Sequence, residues 1–409
     1  MKCRLKGKIQ LHLFLFGFRK SYFLGFVGLI LGITGSIIES PSSIASISIS
    51  IVSTFFCLFL FVKDSREIKR AESNFFQIEK DPNLLKSLNK SDQYKNYEFI
   101  EFREHYALYC PEVNRLLNRT FMDYELEPKK FNTCPTAKSL APFVVRTSFK
   151  SEKILFNSPK VRLKSDITLK AIQSDRKVFL MRTDYFSGLC TNEITCIEFY
   201  SRVPKNLLFD GLSFMSNNGI ILDLQESKCS NHIGVSTIGF TNDMKLIVTA
   251  QSSESAQSAN LLAPSGPGSA DFNDLKDQSK IFQSFITRAM ERELIEECGI
   301  NNMMNGLIKT HLIGFARHLN RGGKPEFFGV SFINVPSDSL RITNKEAVFI
   351  ADIKDIKVNR VNDQELKASL DKFQKEHQSS FSLLLYINLK FLNDYINSSP
   401  DSFIKLFNL

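Results

Sequence analysis

The sequence predicts an α/β protein in three parts: a two-helix N-terminal transmembrane hairpin, an added α+β extension, and a part toward the C-terminus in which strands flank a helix. Three observations predict it. Two long uncharged runs stand close together near the start of the chain. Short alternating runs bounded by Asn, Asp, Ser and Gly recur from residue 152 onward, as half-buried strands do. Between strand-like runs at 245–250 and 309–315 lies a helix-period segment, 279–298, with Phe282, Phe285, Ile286 and Ala289 on its buried face.

Residues 1–20 are basic, and their apolar patch at 11–18 is too short to span and suits an interface. Residues 21–38 carry no charge and are long enough to cross a bilayer. After Glu39, residues 40–62 are again uncharged, with a second helix at 44–62 and Pro41 favouring a tight turn between the two. Lys and Arg flank the pair on both outer sides and are absent from the loop, which places both termini in the cytosol. A cleaved signal peptide is the alternative; Arg19-Lys20, the lack of a small-x-small cleavage site and the second run oppose it. Gly25, Gly28, Gly32 and Gly35 share one helix face, and Gly28 and Gly32 make a G-x-x-x-G suited to close helix approach. Ser43, Ser46, Ser50 and Ser53 line a face of the second run. These faces either pack the hairpin on itself or join protomers.

Residues 63–95 form a charged, partly helical juxtamembrane linker, and residues 96–230 form the extension. Within it, 98–118 reads as a helix with Pro111 at a break, and 153–156, 167–172, 176–182 and 193–199 read as strands. The third part, 231–409, starts with a strand near 231–236. Residues 252–269, rich in Ser, Ala, Gly and Pro, read as a ligand loop. Strands at 309–315 and 326–334 flank an Arg321-Gly322-Gly323 turn, and the tail at 364–396 is helical.

The net charge of +9 invites a nucleic-acid partner. Its location argues otherwise: residues 1–70 hold ten Lys or Arg against three acids, so the basic excess belongs to the membrane end. No DNA or RNA binding is expected. The eight cysteines include no C-x-x-C pair and read as reduced thiols.

Chemistry concentrates on Arg292-Glu293-Leu294-Ile295-Glu296-Glu297-Cys298-Gly299-Ile300. Glu293, Glu296 and Glu297 fall at three- and four-residue steps and cluster on one helix edge. Like charges there repel by a few tenths of a kcal/mol per pair, unless Arg292 or a hard cation such as Mg2+ sits among them. A solvated acidic face is the plainer reading. Upstream, the Ser265-Gly266-Pro267-Gly268-Ser269-Ala270-Asp271 run can offer backbone N–H groups and hydroxyls to a phosphate. Downstream, Arg317, Arg321 and Lys324 are candidates for phosphate contacts. Each of these is equally a surface charge. His232 reads as a packed polar residue or a base-edge contact.

The nine residues resemble the end of the Nudix box, G-x5-E-x7-R-E-U-x-E-E-x-G-U, where U is a bulky aliphatic residue. Every fixed position from Arg292 to Ile300 matches. Counting back, the box glycine falls on Gln278 and its first glutamate on Ser284, so the front half departs. The resemblance implies that the C-terminal part is a Nudix-like α/β/α sandwich. The order of parts is similar to that of the transmembrane Nudix effectors of CBASS, the bacterial anti-phage systems signalled by cyclic oligonucleotides. That resemblance implies a cyclic-oligonucleotide ligand, homo-oligomer assembly, a lipid-bilayer partner and a two-span inner-membrane location. Ligand binding would lead to membrane disruption and death of the infected cell. It requires no cofactor. The alternative is a membrane-tethered Nudix hydrolase of nucleoside diphosphate derivatives, with Glu293 and Glu297 catalytic and Mg2+ on Glu293, Glu296 and Glu297.

Overall fold

A computed structural model describes residues 74–398 and Phe403, apart from 151–155, 254–257, 277–278, 301–306, 344–346, 348–349 and 360–361, together with ten isolated positions before residue 74. Its centre is a nine-stranded sheet. The strands of that sheet are β1 Glu98–Phe102, β2 His105–Tyr109, β3 Gly234–Thr241, β4 Lys245–Gln251, β5 Leu262–Ala263, β6 Gly268–Ser269, β7 Ile308–His318, β8 Lys324–Ile333 and β9 Ile350–Lys357. The order runs β5-β4-β3-β8-β7-β2-β1, with β6 also beside β3 and β9 also beside β4. β3 and β8 are parallel, with Gly234 opposite Glu326. β3 is buried at every position, as a strand covered on both faces must be.

The helices are α1 Pro111–Leu117, α2 Pro135–Lys150, α3 Tyr185–Leu189, α4 Phe282–Cys298, α5 Asp363–His377 and α6 Leu383–Ser398. α4 carries Phe282, Phe285, Ile286, Ala289 and Met290 into one core with Val235, Phe315 and Phe327. α6 carries Leu385, Leu389 and Leu392 into another with Ile238, Phe240 and Val330. Because side chains alternate along β3, odd and even positions feed different cores. Burial of each such side chain contributes about 1.5–3 kcal/mol, which anchors α4 and the loop before it. Gly299 closes α4 in the left-handed region (φ 63°), where an L side chain is strained.

Several expectations are corrected. The fold is mixed α/β with several sheets: beside the nine-stranded one stand two of three strands and one of two. Among the described residues no helix is long and apolar enough to cross a membrane, which overturns the transmembrane hairpin and the two-span inner-membrane placement. α6, the apolar C-terminal helix, has 16 residues against the roughly 20 a crossing takes, and its apolar side is spent on the sheet. Gly25, Gly28, Gly32, Gly35, Ser43, Ser46, Ser50 and Ser53 lie outside the described residues.

The helix expected over 98–118 is instead the β1–β2 hairpin followed by α1. Arg103 and Glu104 turn the hairpin with φ of 50° and 60°, a geometry usually signalled by Asn or Gly, so the turn was silent. β1 and β2 thereby complete one edge of the main sheet, with His318 paired to Ala107. In the linker, Phe75–Glu79 is a strand. The expected strand at 167–172 runs instead into a helical turn, Ala171–Asp175, and that at 193–199 begins only at Ile197. The segments at 176–182, 245–250, 309–315 and 326–334 are strands and 279–298 is a helix, within a few residues of expectation.

Candidate functional site

β6 and the N-terminal part of the loop before it lie directly on α4. Ser265 is fully buried; its hydroxyl accepts from the Gly239 N–H at 2.7 Å and donates to the Ile247 carbonyl. It ties the loop to the sheet and is closed to a ligand. A Cβ on Gly266 would stand 2.8 Å from the Leu294 nitrogen, and one on Gly268 2.1 Å from the Glu293 carboxyl carbon. The glycines therefore let the loop approach the helix, leaving no gap for a phosphate at that point. The Ser269 N–H donates to Glu293 Oε1 at 3.2 Å.

Arg292 organises this region. Its Nε and Nη2 donate to the two oxygens of Asp274 at 2.8 and 3.1 Å, and Nη2 also donates to the Ser269 carbonyl at 3.1 Å. The guanidinium stands 3.0 Å from Glu293, 3.6 Å from Glu296 and 4.0 Å from Asp271. Lys160, on the strand Pro159–Leu163, adds a second cation, pairing with Asp271 and reaching the Ser269 carbonyl at 3.3 Å. Burial raises the Glu293 carboxyl above its ordinary range, against the pull of Arg292 and Lys160. Glu297 is buried and Glu296 is half-exposed.

This arrangement recovers part of the motif that counting by sequence lost. Asp274 stands six residues after Gly268, the box spacing of glycine to acid, and Arg292 follows ten residues later than the box requires. Although out of register with the box, Asp274 bonds Arg292 through both of its oxygens. Ser284, to which counting assigned that position, sits within α4. The acids do not fit a divalent ion as they stand. Arg292 occupies the space among them, and among the described residues no group of three or more His, Cys, Asp or Glu side chains is placed to hold a metal.

The other candidates gather at the turn between β7 and β8. Arg317 is wholly buried, donating to the carbonyls of Gly323 and Leu222 at 3.2 and 2.9 Å and lying 4.7 Å over the Tyr94 ring. That makes it a structural brace. Lys324 Nζ stands 2.6 Å from Glu326 Oε1; burial, partly offset by Glu326, lowers its pKa to about 8. Arg321 donates from Nε and Nη2 to Glu193 Oε1 at 2.7 and 2.5 Å, and from Nη1 to Glu326 Oε1 at 3.3 Å. Burial opposes its charge, and Glu193 and Glu326 more than restore it. His232 is buried beside Tyr185 with ring centroids 6.2 Å apart; burial, then Lys324 and Arg321, hold it well below the ordinary imidazole value. It is a packed residue.

Arg321 also opens onto a cleft of about 560 Å³. His318 lies at its floor and Glu193 at its rim. Phe102, Arg103 and His105 of the β1–β2 hairpin form one wall, and Phe381, Leu383 and Leu384 the other. The His105 and His318 rings are 6.0 Å apart. Among the described residues His318 is buried with neither ring nitrogen hydrogen-bonded, and burial, then Arg321 and His105, hold its pKa well below the ordinary imidazole value. Sequence reasoning missed Glu193, His105, His318 and the two phenylalanines, because the cleft forms only where the hairpin and the α5–α6 connection meet β7. Gly234 pairs with both Ser269 and Glu326, so the strands carrying those two residues flank β3, about 10 Å apart.

No family model and no curated protein matches the chain. Among solved structures it is similar to DR0079 from Deinococcus radiodurans, at 11% identity over 37% of this chain and 83% of that one, with a TM-score of 0.22. It is also similar to a MutT protein from Methanosarcina mazei Go1, at 14% identity over 41% of this chain and 96% of that one, with a TM-score of 0.25. The resemblance to the end of a Nudix box lies in residues 292–300.

Proposed function

We propose that the chain is a Nudix-like nucleotide sensor that binds a cyclic oligonucleotide in the Arg321 cleft and holds it without cleaving it. The observation behind this reading is the composition of that one cleft. A guanidinium on its floor suits phosphate oxygens. Phe102 and Phe381 give the cleft apolar walls, their rings packed on Tyr386 and Phe373. His318, whose buried ring nitrogens bond nothing among the described residues, carries one donor and one acceptor beside the cleft. Glu293 and Glu296 of α4 are engaged by Arg292, which favours binding over turnover. The proposal includes assembly of homo-oligomers on ligand binding and an anti-phage role of the CBASS kind.

Titration of the purified full chain with cyclic di- and trinucleotides tests it, with the ligand recovered and analysed afterwards. Saturable binding with intact recovery is expected. The hydrolase alternative keeps one observation in its favour, the box spacing of Gly268 to Asp274. Mg2+-dependent turnover of nucleoside diphosphate derivatives that disappears in Glu297→Gln would replace the sensor reading.

A further inference from the structure

We infer that Glu193 stands in for the ligand: its carboxylate occupies the Arg321 fork in the free protein and is exchanged for a phosphodiester when the messenger enters. The inference rests on the cleft reading above and adds what controls entry.

Glu193 and Glu326 both pair with Arg321, but they are built differently. The Glu326 side chain is 3% exposed and is shared by Arg321 and Lys324. It is a permanent counter-ion, since removing it would leave two buried cations facing each other. The Glu193 side chain is 28% exposed, at the cleft rim, in the turn after α3. Among the described residues its carboxylate bonds only Arg321, and through one oxygen, Oε1, which takes both N–H groups. A guanidinium fork presents two parallel N–H groups and is best filled by two oxygens. A phosphodiester supplies them; Glu193 as placed does not.

Charge points to the same ligand class. With Glu193 in place, Arg321 and Lys324 face two carboxylates. With Glu193 swung out, the floor carries one uncompensated positive charge. A phosphodiester carries one negative charge, so the exchange is one for one and the cluster stays balanced. A phosphomonoester or pyrophosphate brings excess negative charge against Glu326 and is disfavoured. The backbone N–H of Glu193 stays bonded to the Gly188 carbonyl at 3.3 Å, so the side chain can leave while the turn holds.

The test compares the full chain with Glu193→Gln, titrated with cyclic di-AMP, cyclic di-GMP and cyclic tri-AMP, with inorganic pyrophosphate alongside. Removing the competing charge should tighten the cyclic nucleotide that binds by about tenfold, the scale of one charge-assisted hydrogen bond. Carbodiimide labelling of Glu193 in the unaltered chain should rise when that nucleotide is added, and this arm decides if the variant folds poorly. Equal or weaker binding by Glu193→Gln, or labelling unchanged at saturation, overturns the exchange and leaves the cleft reading standing. No binding of any cyclic nucleotide by either protein overturns both. Pyrophosphate binding as tightly as the cyclic nucleotide overturns the phosphodiester preference.

Discussion

The two flanks of β3 handle charge in opposite ways. On the β6 side, one arginine closes inward on Asp274, Glu293 and a loop carbonyl, and every partner belongs to the protein. On the β8 side, Arg321 is also saturated, but one of its two carboxylates stands at the edge of a cleft. The two arginines are similarly satisfied and differ in whether a partner can leave. A motif match therefore located the tighter of the two regions, while the region suited to a ligand carries no motif. Buried ion pairs contribute modest net stability, yet removing one partner is costly because the other charge stays behind. The clamp is thus expected to answer mutation with lost stability, and the cleft with changed binding.

The largest effect that would break this contrast is at Arg292. Arg292→Ala strands Asp274 and Glu293 beside Asp271, so a stability loss of about 2–4 kcal/mol is expected, read by denaturant unfolding. A loss below about 1 kcal/mol would mean that the loop is held by packing alone. Next comes Gly268→Ala, whose methyl would press on the Glu293 carboxyl; overpacking of this kind costs about 1–3 kcal/mol, and protease sensitivity near residue 268 should rise with it.

pH sharpens the other flank. His232 and His318 are held well below the ordinary imidazole value, 6.5, by burial and neighbouring cations. In the unfolded chain they take up protons as the pH falls through about 6.5 while the folded chain resists. The unfolded state then binds more protons, so stability present above that pH is lost below it, at up to about 1.4 kcal/mol per pH unit for each histidine. Unfolding midpoints measured from pH 7.5 to 5.5 should fall, and His318→Gln should flatten part of the slope. The smallest effect is expected at Ser284→Glu: with Asp274 already on Arg292, restoring the counted box acid should change stability by no more than about 0.5 kcal/mol and confer no turnover of nucleoside diphosphate derivatives.

The acidic helix and its flanking strands were legible because their periodicity is local. Phe282, Phe285, Ile286 and Ala289 repeat at helical spacing, and the Arg292 to Ile300 pattern needs no register with distant chain. The front of the motif was illegible by counting, since Asp274 stands ten residues too far from Arg292 in sequence while the fold brings its carboxylate onto that arginine. The β1–β2 hairpin hid behind a turn made by Arg103 and Glu104 without Gly or Asn. Ser265 and Arg317 looked like ligand contacts from residue type, but burial closed both. The run of small and apolar residues near the N-terminus suggested a membrane hairpin, and no helix among the described residues supports one.

Sequence alone determined which segment is the acidic helix, that a glycine-rich loop precedes it, and that cations crowd the following turn, because helix period and turn chemistry act over a few residues. Only the tertiary structure decided which of those charges are spent and which can be exchanged. Asp274, Lys160 and Glu193 reach their arginines or acids from distant parts of the chain, and solvent exposure, which separates Glu193 from Glu326, exists only once the chain has packed.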